Sequence, residues 1–460
     1  MTVSAPTAAT LLDILRGSRV ATAQSLAMAL GVSQPTVSRL LAQAGDDVVK
    51  IGRARRSRYA VTRQVRGLGD RWPLYRINGM GQPEDFGHLV ALHGDGSLLE
   101  TTPLPDWLRG EFADGLFPGL PWFFDDMRPQ GFLGRMFARS HAPELGLGSD
   151  ILRWSNDEVL AALLLRGDDA PGQFILGDRA LERALSVVSA PLPEQSRTDR
   201  YAGLADATLA GSQVGSSAAG EQPKFTACIE AADGALRHVI VKFSEPVDAS
   251  PVARRWADLL ICEHLASVLL AEQDMLSAAS ELIWSHGRLC LESTRFDRIG
   301  AHGRRGVVSL AAWSDAYDGL RDSWPAAASR MQRNGWLTAD AVTQIEQLWW
   351  FGQLIGNTDM HFGNLSFFLD RALPLSPCPS YDMLPMCYRP GSSGNLPVDV
   401  HQPKPPAPAN LPFWQRAGAW AVTFWQRVAA HADISTEFRA LADRNRSQVE
   451  RLRERFGYGP

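Results

Sequence analysis

Gly356-Asn357-Thr358-Asp359-Met360-His361-Phe362-Gly363-Asn364-Leu365-Ser366 is a polar loop between two apolar runs, a Trp-rich helical one at 345–355 and a β-prone one at 365–369. Loops held between buried elements commonly carry catalytic groups. Asp359 and Asn364 stand in the order D-x-x-x-x-N, a carboxylate able to take a proton followed by an amide oxygen able to meet a hard cation. Asp382, in Ser380-Tyr381-Asp382-Met383-Leu384-Pro385, comes 18 residues after Asn364, enough chain for a hairpin to return a second metal carboxylate to the same loop. Taken singly, each residue is as readily a turn or cap.

The catalytic loop of protein kinases has this spacing, with its Asp accepting the proton of the attacking hydroxyl and its Asn helping to hold Mg²⁺. The rest of such a chain has to supply a nucleotide-binding half. His238-Val239-Ile240-Val241-Lys242-Phe243 sets one lysine in an apolar strand, and a buried lysine needs a partner. Glu263, on a helix expected over 252–272, provides one, as in the strand-lysine and helix-glutamate pair of kinases. The plainer alternative is a solvated helix charge. Residues 211–225 are rich in small side chains, a loop able to bring backbone N–H groups to phosphate oxygens. They match neither a Walker A motif nor G-x-G-x-x-G, and a flexible linker has the same composition. Two strand-like runs, 281–284 and 288–293, end at Thr294-Arg295-Phe296-Asp297-Arg298, where kinase topology places the hinge that holds adenine.

The N-terminal arm has a different character. Helical spacing at 8–15 is followed by a short helix, the turn Gly31-Val32, and a second helix capped by Ser33 with Pro35 in its first turn. This is a helix-turn-helix. Its outer face offers Gln34, Thr36, Ser38 and Arg39, polar groups suited to base edges and phosphates. Residues 48–61 read as a β-hairpin whose basic tip carries Arg53, Arg55, Arg56 and Arg58, the wing of a winged helix. Up to Arg66 there are ten Lys and Arg against three Asp, a local charge of +7 in a chain whose net charge is −4. Concentrated basic charge on this motif points to double-stranded DNA, with a protein-interaction module as the bland alternative.

At 460 residues the chain is expected to hold about three domains, set at 1–66, 67–295 and 296–460. Residues 71–99 read as short strands in hairpins, 120–132 as aromatic core plus turns, and 155–165 and 178–186 as helices. A polar connection is expected at 191–200, a Pro- and Gly-rich surface loop at 390–412, and a helical, amphipathic stretch at 413–456. Five scattered cysteines without a CxxC pair argue for reduced thiols. With no signal pattern and no apolar run of membrane length, a cytoplasmic protein is expected.

Ser217-x-Ala219-Gly220-x-Gln222-x-Lys224, Val-x-Lys242, Glu263-His264, Arg295-Phe296-Asp297-Arg298, Gly356-Asn357-Thr358-Asp359-x-His361-x-x-Asn364 and Tyr381-Asp382 follow the order found in HipA-type serine/threonine kinases. Over roughly 120–437 the chain resembles that family, the kinase toxins of bacterial toxin–antitoxin systems. It looks like a variant with a fused helix-turn-helix and an abbreviated N-terminal kinase subdomain. The resemblance implies an α+β fold in which a winged helix precedes a two-lobed kinase, β-rich then α-helical. It implies ATP and Mg²⁺, a protein substrate among translation factors such as aminoacyl-tRNA synthetases, and an antitoxin as partner. Lys242 and the loop Ser217, Ala219 and Gly220 would hold phosphates, with Glu263 behind Lys242. Asp359 would deprotonate the acceptor, and Asn364 and Asp382 would hold Mg²⁺. Thr294, Phe296 and Asp297 would face the base and ribose, with Thr294 standing where the family often has Glu. His361 would lie beside the nucleotide and orient the loop. Ser217, or its neighbour Ser216, would be autophosphorylated, placing added negative charge beside ATP. The other function classes are a DNA-binding regulator whose kinase-like half senses a nucleotide, and a metal-dependent DNase built on the Asp/Asn site.

Overall fold

The computed structural model describes residues 6–52, 57–186, 191–211 and 222–456. Three helices, α1 (Ala8–Ser18), α2 (Ala23–Leu30) and α3 (Gln34–Ala44), open the chain. With them goes an antiparallel sheet of β1 (Ala21–Thr22), β2 (Val48–Ile51) and β3 (Arg58–Val61), ordered β1-β3-β2. Thr22 and Ser25 cap α2 reciprocally, and Gly31, at φ 64°, ends it in the left-handed conformation that glycine adopts without strain. Leu11, Leu15, Leu26, Val37 and Leu40 close the core of this unit. Val49, Ile51 and Ala60 pack instead on Val90, Leu92 and Leu98 of the next sheet, and the Arg63 guanidinium chelates Asp157. Apolar burial and an ion pair therefore dock the first unit on the second.

That second unit is a five-stranded antiparallel sheet ordered β7-β6-β5-β4-β8. Its strands are β4 (Arg71–Ile77), β5 (Pro83–Ala91), β6 (Ser97–Glu100), β7 (Leu116–Phe117) and β8 (Phe174–Leu176), with helices α4 (Gly131–Leu145), α5 (Asn156–Arg166) and α6 (Asp178–Ser186). The aromatic run at 120–132 does enter the core: Phe123 meets Trp107 and Phe174 with ring centroids 4.9 and 5.1 Å away.

A second five-stranded sheet, β12-β13-β11-β10-β9, follows. It comprises β9 (Leu192–Pro193), β10 (Lys224–Glu230), β11 (Leu236–Phe243), β12 (Ser280–Ser285) and β13 (Arg288–Thr294), with α7 (Arg197–Gly211) and α8 (Pro251–Glu272) packed on it. The expected polar connection at 191–200 instead holds β9 and the start of α7. Tyr201 and Ala205 of that helix are buried against the sheet, but so few apolar residues leave little periodicity to read.

The remainder is mostly helical. The hairpin β14 (Arg298–Ile299) and β15 (Gly303–Arg304) and the strand β16 (Val307–Ser309) lead to α9 (Leu310–Tyr317), α10 (Trp324–Arg333) and α11 (Ala339–Ile355). Strands β17 (Ser366–Phe368) and β18 (Ser376–Pro377) follow the quoted loop, and α12 (Leu411–Ala430) and α13 (Thr436–Phe456) close the chain. The helical stretch expected at 413–456 is made of these two helices. Buried Asp258 of α8 accepts the Ser435 N–H at 2.8 Å and its hydroxyl at 2.5 Å, fixing the break just before α13. Four of the five cysteines are buried and all five are free. Among the described residues no helix is long and apolar enough to cross a membrane.

Candidate active site

Strand β11 and helix α8 meet at an ion pair. Lys242 Nζ donates to both Glu263 carboxylate oxygens, at 2.6 and 2.8 Å, and also to Asp382 from the far side of the cleft. Lys242 and Glu263 are only 7% and 6% exposed. Burial lifts Glu263 above the usual carboxylate range against the pull of Lys242. Burial works against the charge of Lys242 too, but Asp382 and Glu263 outweigh it and hold the lysine protonated. Asp382 is half-buried, its side chain 33% exposed, and against that burial Lys242 and Lys224 keep its carboxyl below the usual range.

The strand register places Lys224 directly opposite Lys242. Both line a cleft of about 650 Å³, along with Thr294, Phe296, Asp297, Gly363, Tyr381 and Asp382. Adjacent cations on one strand pair repel unless anions face them, and Glu263 and Asp382 do.

The loop after α11 is tied together by its own polar groups. Asn357, 4% exposed, donates to the Asp382 carbonyl at 3.1 Å and accepts the Asp359 N–H at 3.1 Å. Asp382 sits at φ 54°, a strained conformation for a residue with a Cβ, and the Asn357 contact helps hold it there. Asn364 Nδ2 donates to the Asp359 carbonyl at 2.8 Å, which leaves the Asn364 amide oxygen to offer a cation. Tyr381 donates to the Gly363 carbonyl at 2.8 Å, joining the two halves of the metal-ligand candidate set.

Asp359 itself lines a second pocket, of about 430 Å³, on α11 and the loop, together with Trp349, Gln353, His361 and His401. This corrects the expectation for His361. Its Nδ1 accepts the Gly363 N–H at 3.0 Å, which orients the loop as expected, but its side chain lines the second pocket and not the cleft. Asp297, which lines the cleft, is tied into an ion-pair cluster. Its carboxylate accepts from Arg295 Nε and Nη2 at 3.0 Å each, from Arg298 at 2.6 Å and from the Gly172 N–H at 3.0 Å. Arg295 and Arg298 hold it far below the usual carboxylate range despite burial, so Asp297 anchors the cleft wall chiefly through Oδ2, which takes three of the four bonds. Phe296 lines the cleft with its ring 5.8 Å from that of Tyr381, and Thr294 accepts from Arg237 at 3.4 Å. Ser216, Ser217, Ala219 and Gly220 lie outside the described residues.

Among the described residues no three His, Cys, Asp or Glu side chains converge as a metal cage. Mg²⁺ is commonly held by one or two protein oxygens plus substrate phosphates, so Asp382 and Asn364 fit it without such a cage. Sequence reasoning missed Lys224, Asn357 and Asp126. Asp126 accepts the Ser309 N–H and hydroxyl at 2.6 Å each on the cleft wall, and burial raises its carboxyl. Lys224 and Asn357 stand inside motifs already quoted, whereas Asp126 is hidden in an aromatic run.

On the N-terminal unit, Gln34, Ser38 and Arg39 of α3 are exposed, and Thr36 is half-buried, its hydroxyl 3.1 Å from that of Ser33. Arg53, Arg55 and Arg56 lie outside the described residues. Arg58 is bonded to Asp114 of the second unit, with its side chain still 36% exposed.

Residues 216–452 match the family described as HipA-like C-terminal domain, and 68–185 match the YjjJ-like toxin, middle domain. The curated Toxin YjjJ of Escherichia coli (strain K12) is 38% identical over 447 residues, covering 96% of this chain and 97% of that protein. A chain in the structure of the Shewanella oneidensis MR-1 toxin–antitoxin system, HipA, HipB and its operator DNA, superposes with a TM-score of 0.51 at 16% identity, over 84% of this chain and 97% of that one. The mixed α+β architecture is therefore the kinase-like one of HipA, and the chain belongs to the HipA-like toxins.

Proposed function

We propose that the protein is an ATP- and Mg²⁺-dependent serine/threonine protein kinase, a cytoplasmic toxin that carries its own DNA-binding unit. The observation that carries this is Lys242, bonded at once to Glu263 on α8 and to Asp382 across the cleft, with the Asp359–Asn364 loop alongside. Lys242 and Lys224 bind the triphosphate, and Phe296 and Tyr381 flank the base. Asp382 and the Asn364 oxygen hold Mg²⁺, which neutralises charge on the phosphates. The acceptor hydroxyl oxygen bonds to the γ-phosphorus as the bond to the β–γ bridging oxygen breaks. Its proton passes to the Asp359 carboxylate, and ADP leaves. Positioning and charge neutralisation supply most of the rate.

The resemblance points to a translation factor as acceptor and to Ser217 or Ser216 as a self-modified site. α1–α3 with β1–β3 read as a winged helix-turn-helix that presents Gln34, Ser38 and Arg39 to double-stranded DNA. The solved relative's assembly with HipB and operator DNA, and membership of a toxin family, favour an antitoxin partner.

The test is incubation with γ-labelled ATP and Mg²⁺ in a bacterial extract, with phosphosites mapped by mass spectrometry and Asp359→Ala alongside. Label in extract proteins from the wild type alone supports the reading. Equal label from Asp359→Ala, in a protein that still binds ATP, refutes the role of the loop.

A further inference from the structure

Two cavities border the quoted loop, the cleft at Gly363 and Ser366 and a second one along 356–361, and a nucleotide in the cleft leaves the second free. Lys224, Lys242, Phe296 and Asp382 face the cleft, whereas Asp359, Trp349, Gln353, His361 and His401 line the second pocket. We infer that the second pocket is the acceptor-side subsite, taking the hydroxyl-bearing segment of a protein substrate, and that His401 is a positioning residue within it. The inference rests on the kinase reading above.

His401 belongs to the Pro-rich segment at 390–412, which sequence reading leaves as a surface loop. Its backbone N–H donates to the Tyr388 hydroxyl and to Asn445 Oδ1, at 3.0 Å each, and both partners are buried. The Pro-rich segment is thereby pinned to the core at this residue. The imidazole Nε2 lies 2.8 Å from the Gln353 carbonyl, an acceptor, so Nε2 carries the proton and Nδ1 the lone pair. The Cγ–Cδ2 edge packs toward Gly356, where an added Cβ would lie 3.2 and 3.4 Å from those atoms. The Nδ1–Cε1 edge is the one left for the pocket. Burial favours the neutral ring, so Nδ1 stays an acceptor for a backbone N–H or hydroxyl of an incoming segment. Trp349 supplies the apolar wall, braced by Trp324 with ring centroids 5.9 Å apart. Trp324 in turn donates to the His361 carbonyl at 3.1 Å. An apolar wall, one fixed acceptor and the Asp359 carboxylate in one pocket make a site for an extended peptide with its hydroxyl at Asp359.

The experiment uses full-length protein, γ-labelled ATP and a dephosphorylated bacterial protein extract as acceptor, with initial rates measured against extract and against ATP. His401→Gln keeps a donor near the Nε2 position for the Gln353 carbonyl and removes the Nδ1 acceptor. His401→Asn does the reverse, placing an amide oxygen near the Nδ1 position. The expected result is an apparent KM for extract raised roughly fivefold to tenfold by His401→Gln, the effect of one lost hydrogen bond, and restored toward wild type by His401→Asn. The KM for ATP is expected to stay in place for both. Equal extract KM in all three proteins, His401→Asn worse than His401→Gln, or an ATP KM that moves in step overturns the subsite while leaving the kinase reading intact. A wild type that transfers no label overturns both.

Discussion

Lys242 Nζ sits 2.6 Å from Glu263 Oε1 and also bonds Asp382, so one ammonium joins the sheet, helix α8 and the loop that follows β18. Removing one partner of a buried pair leaves an uncompensated charge, at about 3–5 kcal/mol. Glu263 has a way out, since burial already lifts its carboxyl and it takes up a proton once Lys242 is gone. Lys242→Met is therefore expected to lower the urea midpoint only modestly at pH 5 and more at pH 8, while abolishing phosphoryl transfer at both. Equal destabilisation at the two pH values would show that Glu263 stays ionised.

Asp297 makes the opposite prediction about acid. Arg295 and Arg298 hold its carboxyl well below the unfolded value. Stability from a depressed carboxylate is present above the unfolded pKa, near 4, and is lost as pH falls through the folded one. Asp297→Asn should cost about 2–4 kcal/mol near neutral pH and remove part of the fall in stability below pH 4. Thermal melts from pH 7 down to pH 3 check this, and parallel curves for the two proteins would count against it.

Asp125 runs the other way again. Burial pushes its carboxyl up to about 6, so the native state prefers the proton between the unfolded value near 4 and pH 6, and stability falls as pH rises through that window. The side chain is 38% exposed and Arg128 lies 3.1 Å away, so solvent screening limits the swing to about 1 kcal/mol. Asp125→Asn is expected to flatten the melting temperature between pH 4 and 7. An unchanged slope would place the titration elsewhere.

These sites differ in how far they could be read beforehand. Lys242 and Glu263 were legible as costly charges in apolar settings, Asp359, Asn364 and Asp382 by their spacing, and the order of all five along the chain matches a family pattern. Helix α8 and strands β11–β13 were legible because buried elements have clear periodicity. What stayed hidden depends on contacts between distant segments. No local pattern says that Arg58 meets Asp114, that Arg295 and Arg298 both pair with Asp297, or that the aromatic run at 120–132 ends on the cleft wall. The side of the loop that His361 faces is likewise set by its short 3-10 turn at Phe362–Asn364, which D-x-x-x-x-N spacing does not encode.

Gly352 of α11 packs where a Cβ would collide with Met360 Sδ and Cε, and Met360 is next to Asp359. The far end of a methionine yields readily, so Gly352→Ala should cost only about 1–2 kcal/mol of stability. Catalysis is less forgiving, because displacing a reacting group by about 1 Å can cost roughly a hundredfold. The expected outcome is a folded protein with kcat down about tenfold or more and an unchanged KM for ATP. Wild-type kcat would mean that Met360 moves without carrying Asp359.

Arg39 and Arg58 are both arginines of the N-terminal unit, and the structure separates them. Arg39 is exposed on α3, while Arg58 is bonded to Asp114. If α3 meets DNA, Arg39→Ala removes one phosphate-directed charge. Affinity for a promoter fragment should then fall, and the slope of log affinity against log salt should shrink by about 1. Arg58→Ala should leave that slope alone and instead lower the thermal stability of the N-terminal unit, because Asp114 loses its partner. Fluorescence anisotropy from 50 to 300 mM salt, run beside thermal melts, tells the two apart. A slope that shrinks for Arg58→Ala would mean that the Asp114 bond opens when DNA binds, and a slope unchanged for Arg39→Ala would take α3 off the DNA altogether.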